Sequence, residues 1–247
     1  MNTSTCCLSH SRLLMFPPVQ FSNLCMNARQ GIYATRPVKL LASIPIISHN
    51  KGVMNFDPSL LQSVQECIRA VETLKRPESL RFIETFAAML ARAFEEGGKL
   101  LLCGNGGSLA DAAHFAEELT GYFRGKRRAL PALVFSEPAH ITCCANDTSF
   151  EEVFSRSVEA FGQPGDIFCG LTTSGNSPNI IRAFEKAKEL QLTTVLFLGK
   201  NGGKLKGAAD LELIIDGFST SDRIQEAHKA AIHLVIERTE ARLFSTL

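Results

Sequence analysis

A histidine and a glutamate that could bind one metal ion or one substrate lie four positions apart in the sequence. His114 and Glu118 occupy a predicted helix, and this spacing places them one turn apart on the same face. Imidazole nitrogen and carboxylate oxygen are both good zinc ligands. A His–Glu pair at this spacing is also common as a plain surface pair, so the two residues indicate a site only together with others.

The last predicted helix carries a second group of polar residues, Gln225, Glu226, His228 and His233. Gln225 and His233 are eight positions apart, which corresponds to about 12 Å along a helix. Two side chains separated by that distance can reach one centre only from opposite directions or from different subunits.

Two predicted loops could hold an anion. Gly-Asn-Gly-Gly-Ser at 104–108 allows close backbone approach, and Ser108 is expected to cap the helix that follows. Thr-Thr-Ser-Gly-Asn-Ser at 172–177 offers four hydroxyls ahead of Pro178, a residue favoured in the first turn of a helix. Either loop alone could be a tight turn with a good cap. Neither has the spacing of an NTP-binding or dinucleotide-binding glycine motif, so the pair favours a phosphorylated small molecule.

The elements that must position these residues follow from hydrophobic periodicity. Apolar residues at helical spacing predict two amphipathic helices, the first from Pro58 and the second from about Pro77 to Glu96. Short apolar runs then alternate with helical stretches, which is typical of a parallel sheet buried on both faces. The predicted strands are 99–103, 132–135, 166–171, 193–198 and 211–215, and the predicted helices include 108–123, 150–161, 178–190 and 222–244. Asn146 and Asp147 are interpreted as turn residues beyond the helix that follows the second strand.

This pattern predicts a doubly wound, flavodoxin-like α/β fold, with a five-stranded parallel sheet flanked by helices and an N-terminal helical hairpin. In such sheets ligands bind at the carboxyl ends of the strands, near the point where the strand order reverses. Both candidate anion loops follow predicted strands, so we expect the site there.

Charge is distributed unevenly along the 247 residues. Residues 1–53 contain five basic residues and no Asp or Glu, which leaves 21 basic against 25 acidic side chains in 54–247. Residues 54–247 therefore lack the excess of Lys and Arg that is expected of a nucleic-acid-binding domain. No apolar run approaches the roughly 20 residues of a membrane helix. We therefore expect a soluble, cytoplasmic protein without a nucleic-acid or membrane partner.

The acid-free segment 1–53 resembles an organelle transit peptide, or upstream codons read ahead of a start at Met54. We predict that 1–53 is a disordered leader and that 54–247 forms one domain. If the leader is a transit peptide, an organelle replaces the cytoplasm as the location.

Six blocks of the sequence, taken together and in order, resemble the phosphoheptose isomerases of the sugar isomerase (SIS) domain group. The blocks are Cys-Gly-Asn-Gly-Gly-Ser at 103–108, His-Phe-Ala-Glu-Glu-Leu-Thr-Gly at 114–121, Asn-Asp at 146–147, Thr-Ser-Gly-Asn-Ser at 173–177, Gly-Lys-Asn-Gly-Gly at 199–203 and Asp-Arg-Ile-Gln-Glu at 222–226. The resemblance covers about 54–244. Where the family has Ser-Thr-Ser, this chain has Thr-Thr-Ser, which keeps the hydroxyls.

The resemblance implies conversion of sedoheptulose 7-phosphate to D-glycero-D-manno-heptose 7-phosphate, the entry to heptose supply for the lipopolysaccharide core. It also implies a homotetramer with active sites at subunit interfaces, and one zinc ion per subunit bound by His114, Glu118, Gln225 and His233. The substrate contacts implied by the matching blocks are Asn105, Gly106, Gly107, Ser108, Glu118, Asn146, Asp147, Thr172, Thr173, Ser174, Ser177, Asp222 and Gln225.

For an isomerisation through an enediol we assign Glu118 as the base and His233 as its acid partner. Two other functions remain open. One is a non-catalytic SIS protein that binds a replication initiator, a group in which the second Glu of the 114–121 block is not kept. The other is a SIS module that senses a sugar phosphate, although no helix-turn-helix segment is evident before Met54.

Overall fold

The computed structural model describes residues 56–244. The predicted leader at 1–53 lies outside the described residues and stays a prediction. Two helices precede the first strand, α1 (Pro58–Glu72) and α2 (Pro77–Glu95). Each begins with proline in its first turn, where the missing N–H costs no hydrogen bond, and Asp57 caps α1 by accepting a hydrogen bond from the Ser59 N–H at 2.8 Å. The predicted helical hairpin is confirmed.

Five parallel strands form one sheet: β1 (Leu100–Gly104), β2 (Ala132–Val134), β3 (Ile167–Thr172), β4 (Thr193–Gly199) and β5 (Leu211–Ile215). Their order is β2-β1-β3-β4-β5, with Leu100 of β1 aligned to Ala132 on one side and Ile167 on the other. This is the flavodoxin-like order, so the predicted fold class is confirmed.

Burial differs between the central and the edge strands. Every residue of β1 and β3 is buried, but β2 and most of β5 are only half-buried. The predicted burial of the sheet on both faces is therefore complete at the central strands and partial at the edges, because an edge strand has a neighbour on one side only.

Helices cover both faces of the sheet, as the doubly wound pattern requires. The later helices are α3 (Gly107–Thr120), α4 (Pro138–Asp147), α5 (Ser155–Phe161), α6 (Pro178–Glu189) and α7 (Ser221–Leu243). One apolar core joins α2, α3 and α7 to the sheet through residues such as Phe86, Phe115 and Ile232. The other joins α5 and α6 through residues such as Val158 and Phe184.

Most helix boundaries lie within one residue of the prediction, and three regions differ by more. The predicted helix 150–161 is a 3₁₀ turn at Phe150–Glu152 followed by α5, and α3 ends at Thr120 instead of 123 because Gly121 follows it. Asn146 and Asp147 are the last two residues of α4 and not turn residues beyond a helix.

No helix between residues 56 and 244 is long and apolar enough to span a membrane.

The strand order reverses at β1, whose two neighbours are β2 and β3. The loop after β1 and the loop after β3 therefore border the crevice in which ligands of such sheets bind.

Candidate active site

The loop 104–108, here the glycine loop, turns sharply from β1 into α3. Gly106 has a φ of +54°, which favours glycine, and a Cβ on Gly104 would lie 2.6 Å from the Ser108 carbonyl. The residue at the N-cap position of α3 is Gly106 and not Ser108, so the predicted serine cap is wrong. No side chain caps α3, and the Ser108 N–H donates to the Asn105 carbonyl at 3.0 Å. The N-terminus of the helix at this loop favours an anion.

Ser108 and Gly107 instead meet the last helix. Ser108 is buried, and its Oγ accepts a long hydrogen bond of 3.4 Å from Nε2 of Gln225. A Cβ on Gly107 would collide with the Gln225 side chain. Glycine at 107 therefore makes room for Gln225 beside the loop.

The loop 172–177, here the hydroxyl loop, gathers three of its hydroxyls at the end of β3. Oγ1 of Thr172 lies 3.2 Å from Oγ of Ser177 and 3.5 Å from Oγ of Ser174. Thr172 also accepts a hydrogen bond from the Gly175 N–H at 3.2 Å. Ser177 is the N-cap residue of α6, and its side chain makes no capping hydrogen bond there. The group is thus a neutral set of donors at a helix N-terminus, which suits an anion.

The loop after β4 supports the hydroxyl loop from behind. A Cβ on Gly175 would collide with the Gly202 carbonyl, and a Cβ on Gly203 with the Ser174 carbonyl. The Lys204 N–H donates to Oδ1 of Asn176 at 3.0 Å. The Gly-Lys-Asn-Gly-Gly block, to which sequence reasoning gave no role, therefore holds the shape of the hydroxyl loop.

A reciprocal pair of amide hydrogen bonds joins the glycine loop to α6. Nδ2 of Asn105 donates to Oδ1 of Asn179 at 2.8 Å, and Nδ2 of Asn179 donates to Oδ1 of Asn105 at 2.9 Å. Sequence reasoning missed Asn179, which is 2% exposed. The available signal was its helical register with Ala183 and Ala187 on the buried face of α6.

Three ionisable residues converge between α3 and α7. Nε2 of His114 lies 2.8 Å from Nε2 of His233 and 3.4 Å from Oε1 of Glu118. One donor atom from each residue lies within 4.8 Å of the other two. Partial burial lowers the pKa of His233, and the nearby His114 lowers this pKa further. A neutral imidazole has a lone pair to offer a metal ion or a proton.

The donor set fits a zinc ion. Two imidazoles and one carboxylate are typical ligands of catalytic zinc. Nδ1 of His114 lies 3.4 Å from Oε2 of Glu117, and a carboxylate on the second ring nitrogen is the usual outer partner of a metal-binding histidine.

Gln225 does not join this cluster within one subunit. Helices α3 and α7 run parallel, so Ser108 lies beside Gln225, Asp111 pairs with Lys229 at 3.0 Å, and His114 lies beside His233. The chain thus brings together three of the four predicted metal ligands and leaves the fourth two helical turns away.

Three predicted substrate contacts lie at exposed helix ends. Asn146 donates to Asp147 at 2.8 Å, and Sγ of Cys143 lies 3.4 Å from the same carboxylate. These hydrogen bonds lower the pKa of Asp147, with that of Asn146 the larger cause. Asp222 lies in the first turn of α7, beside Ser221, whose Oγ is 3.0 Å from Oγ1 of Thr173. Their contact with substrate stays a prediction.

Comparison with known proteins relates this arrangement to a family. A family model described as SIS domain matches residues 61–199. The phosphoheptose isomerase of Fusobacterium nucleatum is 55% identical over 171 residues, which cover 69% of this chain and 88% of that protein. The phosphoheptose isomerase of Vibrio cholerae is 48% identical over 161 residues, covering 65% and 84%.

A solved structure agrees with the sequence relatives. The phosphoheptose isomerase from Neisseria gonorrhoeae superimposes with a TM-score of 0.68 at 33% identity, covering 74% of this chain and 97% of that one. The chain therefore belongs to the SIS domain family and, within it, to the phosphoheptose isomerases.

Proposed function

We propose that the protein converts sedoheptulose 7-phosphate to D-glycero-D-manno-heptose 7-phosphate, an aldose–ketose isomerisation that supplies heptose for the lipopolysaccharide core. The observation that carries the proposal is that His114, Glu118 and His233 converge in a relative of the phosphoheptose isomerases. His114 and Glu118 lie on α3, which starts at the glycine loop, and His233 lies on α7, which packs beside it. The reaction is placed in the cytoplasm, with an organelle as the alternative if 1–53 is a transit peptide.

The isomerisation moves one proton between neighbouring carbons without an oxidant or reductant. The Glu118 carboxylate takes a proton from C1 of the ketose, and His233 gives a proton to the carbonyl oxygen on C2, which yields the enediol. Return of a proton from Glu118 to C2, with transfer of the O1 proton to His233, then gives the aldose and regenerates both groups.

A zinc ion would be held by His114, Glu118 and His233, with Gln225 as the fourth protein ligand, and when bound it polarises the sugar oxygens. A carboxylate bound tightly to a cation is a weaker base. Glu118 would therefore act as the base only where a bound zinc ion left its carboxylate free to take a proton. His114 is held by Glu117, whose Oε2 lies 3.4 Å from Nδ1.

The phosphate group is bound by neutral donors. The hydroxyls of Thr172, Ser174 and Ser177 lie at the N-terminus of α6, and the glycine loop presents the N-terminus of α3. Helix N-termini and hydroxyls attract an anion without a formal positive charge. This suits a domain with more acidic than basic residues.

The proposal includes a homotetramer with active sites at subunit interfaces. Helix α1 supports it, because Leu60, Leu61, Val64, Ile68 and Val71 lie along this helix and are 40–64% exposed in the single chain. An apolar row of this kind marks an interaction surface. The separation of Gln225 from His233 supports it as well, because a glutamine from a second subunit could complete the ligand set.

The direct test is to incubate the protein with sedoheptulose 7-phosphate and to measure the aldose formed. Glu118→Gln should lower kcat by roughly 10²–10⁴-fold, the usual cost of losing a general base, while the sugar phosphate still binds. Glu95→Gln, an exposed change at the end of α2, is the matched control. A chelator should remove activity and zinc should restore it.

Wild-type protein that forms no aldose would refute the proposed function and favour a non-catalytic SIS protein. Near-normal turnover by Glu118→Gln would refute only the assignment of the base.

A further inference from the structure

We infer that Asn179 is a positioning residue for substrate binding, acting through Asn105. The inference rests on the proposed function and adds a residue to its site. Asn179 follows Pro178 in the first turn of α6, whereas Asn105 lies in the glycine loop after β1. The two amides exchange both hydrogen bonds, at 2.8 and 2.9 Å.

The reciprocal pair ties the orientation of the Asn105 amide to that of the Asn179 amide. An amide has two donor hydrogens and an oxygen with two lone pairs. The pair uses one donor and one lone pair of Asn105, so one N–H and one lone pair remain for a ligand. Turning the Asn105 amide over on its own would place its oxygen against the Asn179 oxygen. Neither amide therefore turns without the other, and the pair is formed before the substrate arrives.

Because the Asn179 side chain is buried, its amide stays paired with Asn105. Asn179 is 2% exposed, whereas Asn105 is partly exposed at the crevice. A buried amide that loses its partner cannot exchange it for water, so Asn179 strongly favours the paired state. Ile180, the next residue, is fully buried in the core on its side of the sheet.

The same pair couples the two anion-binding loops. Asn179 stands two residues after Ser177, the end of the hydroxyl loop, so its position follows that loop. Asn105 stands one residue before Gly106, where the glycine loop turns. The Asn105–Asn179 pair, together with the pairing of β1 and β3, therefore fixes the distance between the hydroxyl loop and the N-terminus of α3. A phosphate that contacts both loops meets a preorganised site.

The test is a double-mutant cycle between the two asparagines. Asn179→Asp keeps the volume and the acceptor for Asn105 but cannot donate back, so the Asn105 oxygen is left facing a carboxylate. We expect kcat/KM to fall about 10-fold, mainly through a higher KM, because a binding contact and not the base is disturbed. In the Asn105→Ala background the same substitution should change kcat/KM by less than about 2-fold, because the partner is already absent.

Melting temperature separates positioning from folding. A purely structural role for Asn179 would lower stability and activity equally in both backgrounds. Gln163→Glu, an exposed amide-to-acid change shortly before β3 and so at the amino ends of the strands, controls for the added charge. If Asn179→Asp fails to fold, Asn179→Ala takes its place in the cycle.

Two results would overturn the inference. One is that Asn179→Asp changes kcat/KM by less than about 2-fold from the wild-type value. The other is that Asn179→Asp lowers kcat/KM by the same factor whether residue 105 is Asn or Ala. The dissociation constant for sedoheptulose 7-phosphate is also measured for the four proteins of the cycle. Protein that binds this sugar phosphate without turnover then refutes the proposed function, while the binding cycle still decides the role of Asn179.

Discussion

Acid should destabilise the protein through one buried histidine, His228, which lies on α7 between Gln225 and His233. The ring is fully buried and its edge packs against Phe197, with ring centroids 5.5 Å apart. Nε2 lies 2.9 Å from the Leu198 carbonyl of β4, to which it donates as the neutral ring, and Nδ1 is buried without a hydrogen-bond partner. Protonation would place an unpaired N–H and a charge in the core.

The size of the effect follows from the pKa. Burial lowers the pKa of His228 from 6.5 to about 4, although the hydrogen bond to Leu198 opposes the shift. The unfolded chain therefore takes up the proton first as the pH falls. The stability is fully present above pH 6.5 and is lost between 6.5 and about 4. The complete loss is about 3 kcal/mol, of which about 2 kcal/mol is lost at pH 5.

The assay is urea unfolding of wild type and His228→Gln at pH 7.5 and 5.0, at one protein concentration because an oligomer's stability depends on it. Glutamine does not titrate and keeps an N–H for the Leu198 carbonyl. Wild type should lose about 2 kcal/mol more than the variant between the two pH values. Equal losses would show that His228 takes up a proton in the folded protein as easily as in the unfolded chain, and the reasoning from burial would fail.

Two further predictions concern residues that hold the site in place. Arg127→Ala should lower the free energy of unfolding by about 3–5 kcal/mol. The reason is that the Arg127 side chain, 1% exposed, pairs with Glu240 at 2.6 Å and donates to the Glu118 carbonyl at 2.6 Å. A loss below about 1 kcal/mol in urea unfolding would contradict this prediction. Gly107→Ala should lower kcat/KM by roughly 10-fold, about 1.4 kcal/mol, with little change in melting temperature, because the new Cβ displaces the flexible end of Gln225. Unchanged kinetics would mean that Gln225 has no role beside the glycine loop.

The sheet and its loops could be predicted because their signals are local. An apolar run between turn residues predicts a strand wherever it occurs, and glycines at 104–107 or hydroxyls at 172–177 indicate backbone geometry within a few residues. Ser108 shows the limit of such signals. Serine before a helical pattern predicts a cap, but the chain turns earlier, at Gly106, and carries Ser108 into the helix and beneath Gln225.

The side-chain hydrogen bonds and ion pairs that join distant elements could not be predicted from the sequence. Asn105 and Asn179 are 74 positions apart, and Arg127 and Glu240 are 113 apart. Nothing in either partner's neighbourhood specifies the other, because their proximity depends on strand order and on the parallel packing of α3 and α7. The convergence of His114 with His233 has the same origin.

The parallel packing of α3 and α7 also links the metal prediction to the tetramer prediction. His233 and Gln225 project from one straight helix, eight residues and about 12 Å apart. If His114, Glu118 and His233 hold a metal ion, they supply three protein ligands, which is the usual number for catalytic zinc. Coordination by Gln225 as well would need the glutamine of another subunit, so the four-ligand set requires an active site at a subunit interface. The three-ligand site does not depend on assembly.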